Sequence, residues 1–148
     1  MKQIRRNILW LLFAGMMIVA GSGCYSLTTG LMGMDPNMTA SLNDRDLCIA
    51  YEGAIRHGFI TQHIVGEINR RGLLNTDEWI FVRRSNIYKG MRLCGVYAAW
   101  GAPDDQIQVS DPVKGNADRL QLMYRKWART WKTIVTVEND LVLDWTNP

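Results

Sequence analysis

Apolar residues keep different periods on either side of Pro103. Upstream, Leu47, Tyr51, Ala54 and Ile55 recur at three- and four-residue intervals, the spacing of one helix face. Ser41 or Asn43 can cap this helix, Asp44 and Asp46 suit its positive end, and Gly58 ends it. A second helix is predicted from about Gln62 to Arg71, with Ile64, Val65 and Ile68 inward and Gly72 as its stop. Asn75 and Glu78 have the spacing of a capping box and open a third, short helix buried through Trp79, Ile80 and Val82. Gly90 precedes a fourth, Met91 to Trp100, which Gly101 stops and Pro103 prevents from continuing.

Downstream the period is two. Leu120, Leu122 and Tyr124 alternate with Gln121, Met123 and Arg125. Trp131, Thr133, Val135 and Val137 alternate with Lys132, Ile134 and Thr136, and Leu141, Leu143 and Trp145 alternate with Val142 and Asp144. These segments predict three strands, the last two joined by a short loop at Glu138-Asn139-Asp140. Asp104 to Asn116, with Pro112 and Gly115, reads as a polar loop. Helices followed by strands indicate an α+β class: N-terminal helices packed on a three-stranded antiparallel sheet, an ααβββ-like module.

The N-terminus has a different character. Lys2, Arg5 and Arg6 precede the uncharged, apolar run Ile8 to Ala20, and Gly21-Ser22-Gly23 leads into Cys24. This is the order of a secretory signal, and the run is shorter than the ~20 residues of a spanning helix. The exit resembles the lipobox of bacterial lipoproteins, although Gly21 stands where a branched apolar residue is usual. The resemblance implies that Cys24 is lipidated, becomes the mature N-terminus and anchors the chain in the membrane. Lipoproteins kept at the inner membrane commonly carry Asp next, whereas this chain has Tyr25, so the outer membrane, facing the periplasm, is the expected location. Three segments follow: a signal peptide at 1–23, a lipid-anchored tether at 24–40 and one domain at 41–148. Ser26 to Thr39 is rich in Gly, Thr, Met, Asn and Pro and shows no helical or strand period, which suits a tether.

Composition narrows the partners. The chain has 17 Lys plus Arg and 14 Asp plus Glu, and removing Lys2, Arg5 and Arg6 leaves 14 of each. A formally neutral mature chain lacks the basic stripe that phosphate binding needs, so nucleic acid is not an expected partner. If Cys24 carries lipid, Cys48 and Cys94 remain as an even pair in an oxidising compartment. A bridge between them would stabilise by roughly 3–4 kcal/mol. Free cysteine usually packs as a small hydrophobe, and the balance falls slightly toward two separately buried thiols.

Little in the chain points to catalysis. His57 and His63 stand six apart across Gly58, not at the i, i+4 spacing of a zinc helix, and Glu52 and Glu67 add no obvious third ligand. Neither a metal nor another cofactor is expected. No Gly-x-Ser-x-Gly occurs, and Asp104, Asp105 and Asp111 read as turn carboxylates before acid–base groups. The tryptophans are mostly core anchors. Trp127 and Trp131 are the exception, because they interleave with Arg125, Lys126, Arg129 and Lys132. Trp beside Arg is the composition of binding hot spots, so Trp127, Arg129 and Trp131 form the candidate partner surface.

One stretch carries a family resemblance. Ile87-Tyr88-Lys89-Gly90-Met91, then Val96, then Trp100-Gly101-Ala102-Pro103 resembles the I-x-x-G-M … V … G-x-P signature of the SmpA/OmlA-like bacterial lipoprotein superfamily. That superfamily includes the small lipoprotein of the outer-membrane β-barrel assembly machine. Val135 to Val142, with its Glu-Asn-Asp turn, resembles the hairpin of the same module, so the likeness covers about Ile87 to Trp145. Arg92 departs from the usual Ser or Thr after Gly-Met, and Asp140 from the usual Gly. Upstream, Leu47-Cys48-x-Ala50-Tyr51 and Glu67-Ile68-x-Arg70-Arg71-Gly72-Leu73 resemble the leading segment of small lipoproteins. The signature speaks to fold and is nearly silent on activity. The expected function is a non-enzymatic protein-interaction module of the cell envelope, an assembly or integrity factor with an envelope protein as partner. The alternative is a proteinaceous inhibitor of a periplasmic or extracellular enzyme, acting through loops such as Asp104 to Asn116; a cryptic enzyme is a third reading.

Overall fold

The computed structural model describes residues 35–110, 118–125 and 132–146. Within them, helices α1 (Pro36–Ser41), α2 (Asp44–Arg56), α3 (Gln62–Arg70), α4 (Thr76–Val82) and α5 (Leu93–Trp100) precede strands β1 (Asp105–Ser110), β2 (Asp118–Arg125), β3 (Lys132–Glu138) and β4 (Leu141–Thr146). The strands form one antiparallel sheet in the order β1-β2-β3-β4. The α+β class read from the change of period is therefore correct, with one more strand than the period showed.

The helix boundaries follow local chemistry. Asn43, not Ser41, caps α2, its side chain accepting the Asp46 N–H at 2.8 Å. Asn75 and Glu78 close the expected capping box at the start of α4. Gly58 and Gly72 end α2 and α3 with φ of 70° and 65°. Between α2, α3, α4 and α5 lies the core, with Leu47, Ala50, Tyr51, Ala54, Ile64, Ile68, Trp79, Val82 and Val96 all buried. On the sheet side Leu122, Val135, Val137 and Val142 complete it.

Four expectations are corrected. The end of the expected tether, from Pro36 to Ala40, is helical within α1: Asp35 Oδ1 caps it through the Asn37 N–H, Pro36 occupies its first turn, and Thr39 is buried. A helix this short has too few residues to display a period. Ile55 is 56% exposed and Ile80 is 47% exposed, both having been assigned to buried faces. In α4 the inward positions are Glu78, Trp79 and Val82, so a carboxylate takes the place given to Ile80.

Of the expected Asp104 to Asn116 loop, 111–116 lie outside the described residues, and six residues form strand β1, paired with β2 from Asp105↔Met123 to Ser110↔Asp118. Its apolar content, Ile107 and Val109, is too small to mark a strand. Finally, Leu141 and Leu143 are each 44% exposed, while Val142 is buried. The β3–β4 register jumps from Thr136↔Asp144 to Val137↔Val142, which leaves Leu143 as the extra residue of a bulge. A bulge breaks strict alternation, so Val142 and Trp145, three apart, both pack toward the core.

The segment before α5 closes one edge of the sheet. The Gly90 N–H donates to the Val142 carbonyl at 2.7 Å, the Val142 N–H donates to the Met91 carbonyl at 2.8 Å, and Arg92 bridges to Leu141. Covering an edge in this way removes its open hydrogen-bonding groups. At the far end of α5, Gly101 has φ 79° and ψ −158°, a conformation essentially confined to glycine. A Cβ there would lie 2.7 Å from Glu52 Oε2, in a side chain already engaged with Arg56. Gly101→Val is expected to destabilise the domain by about 2–4 kcal/mol, lowering its melting temperature by roughly 10–20 °C. Wild-type melting of that variant would disprove the glycine-only end of α5. Gly115, placed by the sequence in an irregular loop, lies outside the described residues.

Candidate binding cleft

The N-terminal ends of α2 and α5, the turn after α3 and the β3–β4 hairpin meet around a cleft of about 240 Å³. Its walls are highly charged, and their construction starts from one buried group. Glu78 is only 1% exposed. A buried carboxylate requires donors, and Glu78 has four: its Oε2 accepts the Asn75 N–H at 2.8 Å and Arg92 Nη2 at 2.7 Å, and its Oε1 accepts the Arg92 N–H at 2.8 Å. Arg92 Nε adds contacts at 3.0 and 3.2 Å. Burial alone pushes the Glu78 carboxyl upward; the Arg92 and Asn75 donors outweigh it, and the net shift is below the ordinary value.

This pair also explains why α5 starts without a capping side chain. Arg92 is the N-cap residue and makes no side-chain cap of its own. Its N–H is instead held by Glu78 of α4, and its Nη1 reaches the Gly72 carbonyl at 2.7 Å. The following Leu93 N–H donates to the Asp140 carbonyl at 2.9 Å. Thus the hairpin tip takes up an orphan donor of the helix. Asn139 and Asp140 both have positive φ, 52° and 66°, the requirement of a two-residue type I′ turn. Burial is the main cause raising the Asp140 carboxyl above its usual value; Arg92 pulls it down and Glu78 pushes it up.

On the α2 side, Arg71 is the organising cation. Its Nη1 pairs with Asp44 Oδ1 at 2.8 Å and reaches the Leu42 carbonyl at 2.7 Å, and its Nη2 reaches the Ala40 carbonyl at 2.9 Å. Its Nε engages Glu67 at 2.7 Å. Arg70 and Arg71 together hold the Glu67 carboxyl down to about 2. One residue of the double arginine therefore ties α1 and α2 to α3, a role that its sequence neighbourhood does not disclose. Arg45, also on the cleft wall, stacks over Tyr97 with its guanidinium 5.6 Å from the ring centroid. Tyr97 is 3% exposed; burial raises its phenol, Arg45 lowers it and Asp140 raises it.

Cys94 forms part of the cleft lining and is bridged to Cys48, with Cα atoms 5.5 Å apart and 46 residues between them in sequence. The slight preference for separate thiols is thus corrected. Cys48 lies on α2 and Cys94 on α5, and the two helices pack side by side and bring the cysteines within bridging distance. Among the described residues, no three His, Cys, Asp or Glu side chains gather in a way that could hold a metal ion. Asp104 accepts the Arg125 N–H at 2.6 Å and Asp105 the Gln106 N–H at 2.9 Å, which places both in backbone capping.

Cys24, Asp111, Trp127, Arg129 and Trp131 lie outside the described residues. The cleft-lining residues Arg45, Arg92, Tyr97 and Asp140, and Glu78 which holds Arg92, were not among the sequence candidates. The available signals were Arg92 in place of a capping Ser or Thr, and Asp140 in place of a turn Gly. Neither names a partner, because Glu78 and Arg92 stand 14 residues apart on different helices. Comparison with protein-family models, with curated proteins and with solved structures returns no match.

Proposed function

We propose that the chain is a lipid-anchored envelope protein, held at the periplasmic face of the outer membrane through Cys24, whose α+β domain binds another envelope protein and catalyses no reaction. The observation that carries the exported setting is the Cys48–Cys94 bridge between α2 and α5. Structural disulfides persist in oxidising compartments and are rare in the cytosol, and the Lys2-to-Cys24 signal order points the same way. The non-enzymatic reading is supported by how the strongest charges are used. Arg92 is committed to Glu78 and Gly72, and Arg71 to Asp44 and Glu67, so each serves the framework. Assignment to the SmpA/OmlA-like superfamily is part of the same proposal. Its support is local: Ile87 and Met91 are buried under the β4 edge, Val96 is buried in α5, and Gly101 ends that helix.

Palmitate labelling followed by cross-linking in intact cells tests the proposal. The wild-type chain is expected to label and to cross-link to an envelope protein, while Cys24→Ala loses the label and leaves the outer-membrane fraction. Labelling that persists in Cys24→Ala overturns the anchor. Recovery of one soluble enzyme, inhibited on binding, would replace the assembly or integrity role with that of an inhibitor.

A further inference from the structure

We propose that thiol–disulfide exchange at the Cys48–Cys94 bridge runs through Cys94, which forms the mixed disulfide with a small thiol compound, while Cys48 is the resolving sulfur. The two ends of the bridge differ in access. Cys48 is 0% exposed, and its α2 neighbours Leu47, Ile49 and Ala50 are buried with it. Cys94 is only partly buried and lines the cleft of about 240 Å³. Exchange requires direct contact between the attacking and the attacked sulfur. With Cys48 enclosed, a reagent reaches the folded bridge from the cleft and at Cys94.

Position in the helices adds a chemical difference. Cys94 is the second residue of α5, inside its first turn, whereas Cys48 is the fifth residue of α2. The first turn of a helix favours a thiolate, and burial among apolar side chains disfavours one. When the bridge is open, Cys94 is therefore the sulfur that ionises more readily and meets solvent. Cys48 stays a thiol until the bridge closes. Packing of α2 against α5 holds the two residues together, with Cα atoms 5.5 Å apart in the bridged form, so Cys48 stands ready to attack an adduct on its partner.

The steps balance in both directions. On closing, the Cys94 thiolate attacks one sulfur of a small disulfide; that S–S bond breaks, one thiolate leaves, and the mixed disulfide forms on Cys94. Cys48 then gives up its proton and attacks Cys94 Sγ, expelling the second thiolate. The two cysteines lose two electrons and two protons, and the small disulfide gains both as two thiols. On opening, a small thiolate attacks Cys94 Sγ and Cys48 is the leaving group. Expelling a thiolate into an apolar interior is unfavourable, so the folded domain closes its bridge more readily than it opens it. This chemistry depends on the bridge alone and stands apart from the function proposed above.

The test uses the full chain carrying Cys24→Ala, so that only the two bridge sulfurs react. The bridged protein is treated with reduced glutathione in native buffer, quenched with acid, and its adduct located by mass spectrometry. Glutathione is expected on Cys94, with Cys48 recovered as the free thiol. In a second measurement Cys48→Ala and Cys94→Ala, each leaving one cysteine, react with oxidised glutathione. Cys48→Ala should form its adduct ~10-fold faster or more in native buffer, and the two variants should react at equal rates in denaturing urea. The bridged chain keeps the first measurement decisive even where a single variant unfolds. Glutathione on Cys48, an even division between the two sulfurs, or no adduct until urea unfolds the chain overturns the proposal.

Discussion

Replacing Arg92 by Met is expected to destabilise the domain by about 3–5 kcal/mol near neutral pH, and the loss should shrink as the solution is acidified. Both parts follow from the asymmetry of the pair. Arg92 retains 32% side-chain exposure, whereas Glu78 retains 1%. Removing Glu78 would leave a cation able to reach water; removing Arg92 leaves an ionised carboxylate in the core. In the wild type the folded Glu78 carboxyl sits below its unfolded value. Its contribution is therefore present above about pH 4.3 and lost as pH falls through the folded value.

In Arg92→Met the main opposing cause is gone and burial dominates, lifting the folded carboxyl above the unfolded one. Stability should then be recovered as pH falls through that raised value. Urea titrations of both proteins at about pH 7 and pH 5 give the comparison. A loss that is the same at both values would mean that Glu78 remains ionised, and that Arg92 acts through packing alone.

The second large effect concerns the bridge. Replacing Cys48 and Cys94 together by Ala is expected to remove about 4 kcal/mol, because the disulfide closes a loop of 46 residues in the unfolded chain. In a domain of this size that lowers the melting temperature by roughly 10–20 °C. Reductant should shift the wild type toward the variant and leave the variant unmoved. The double replacement separates the covalent link from the reactivity of a single leftover thiol. Should wild type and variant melt together, with no effect of reductant, the two sulfurs are not joined.

Much of the local order was readable along the chain. The α2 cap at Asn43, the Asn75–Glu78 capping box and the glycine stops at Gly58, Gly72 and Gly101 each arise from interactions spanning at most a few residues, and three of the strands show in their alternation. Change of period at Pro103 was enough for the α+β class, because helix and strand impose different spacings on a buried face. The same reasoning misplaced Ile55 and Ile80, which have helical spacing but are left exposed, with no element among the described residues covering them. It also lost β1, whose place at the sheet edge comes from pairing with β2 rather than from its own hydrophobicity.

Tertiary structure alone decided the cleft and its chemistry. Glu78 looks like an ordinary capping residue until α5 brings Arg92 against it, and Arg71 looks like a surface cation until the ends of α1 and α2 arrive. Cys48 and Cys94 carry no information about each other until two helices pack side by side. Leu143 leaves the core because a bulge shifts the register of β4. The physical reason is common to all of these. Backbone conformation, caps and turns depend on residues within one turn of helix or one hairpin, and such interactions are written in adjacent letters. Ion pairs, bridges and clefts depend on distance in space between segments far apart in sequence, and packing sets that distance.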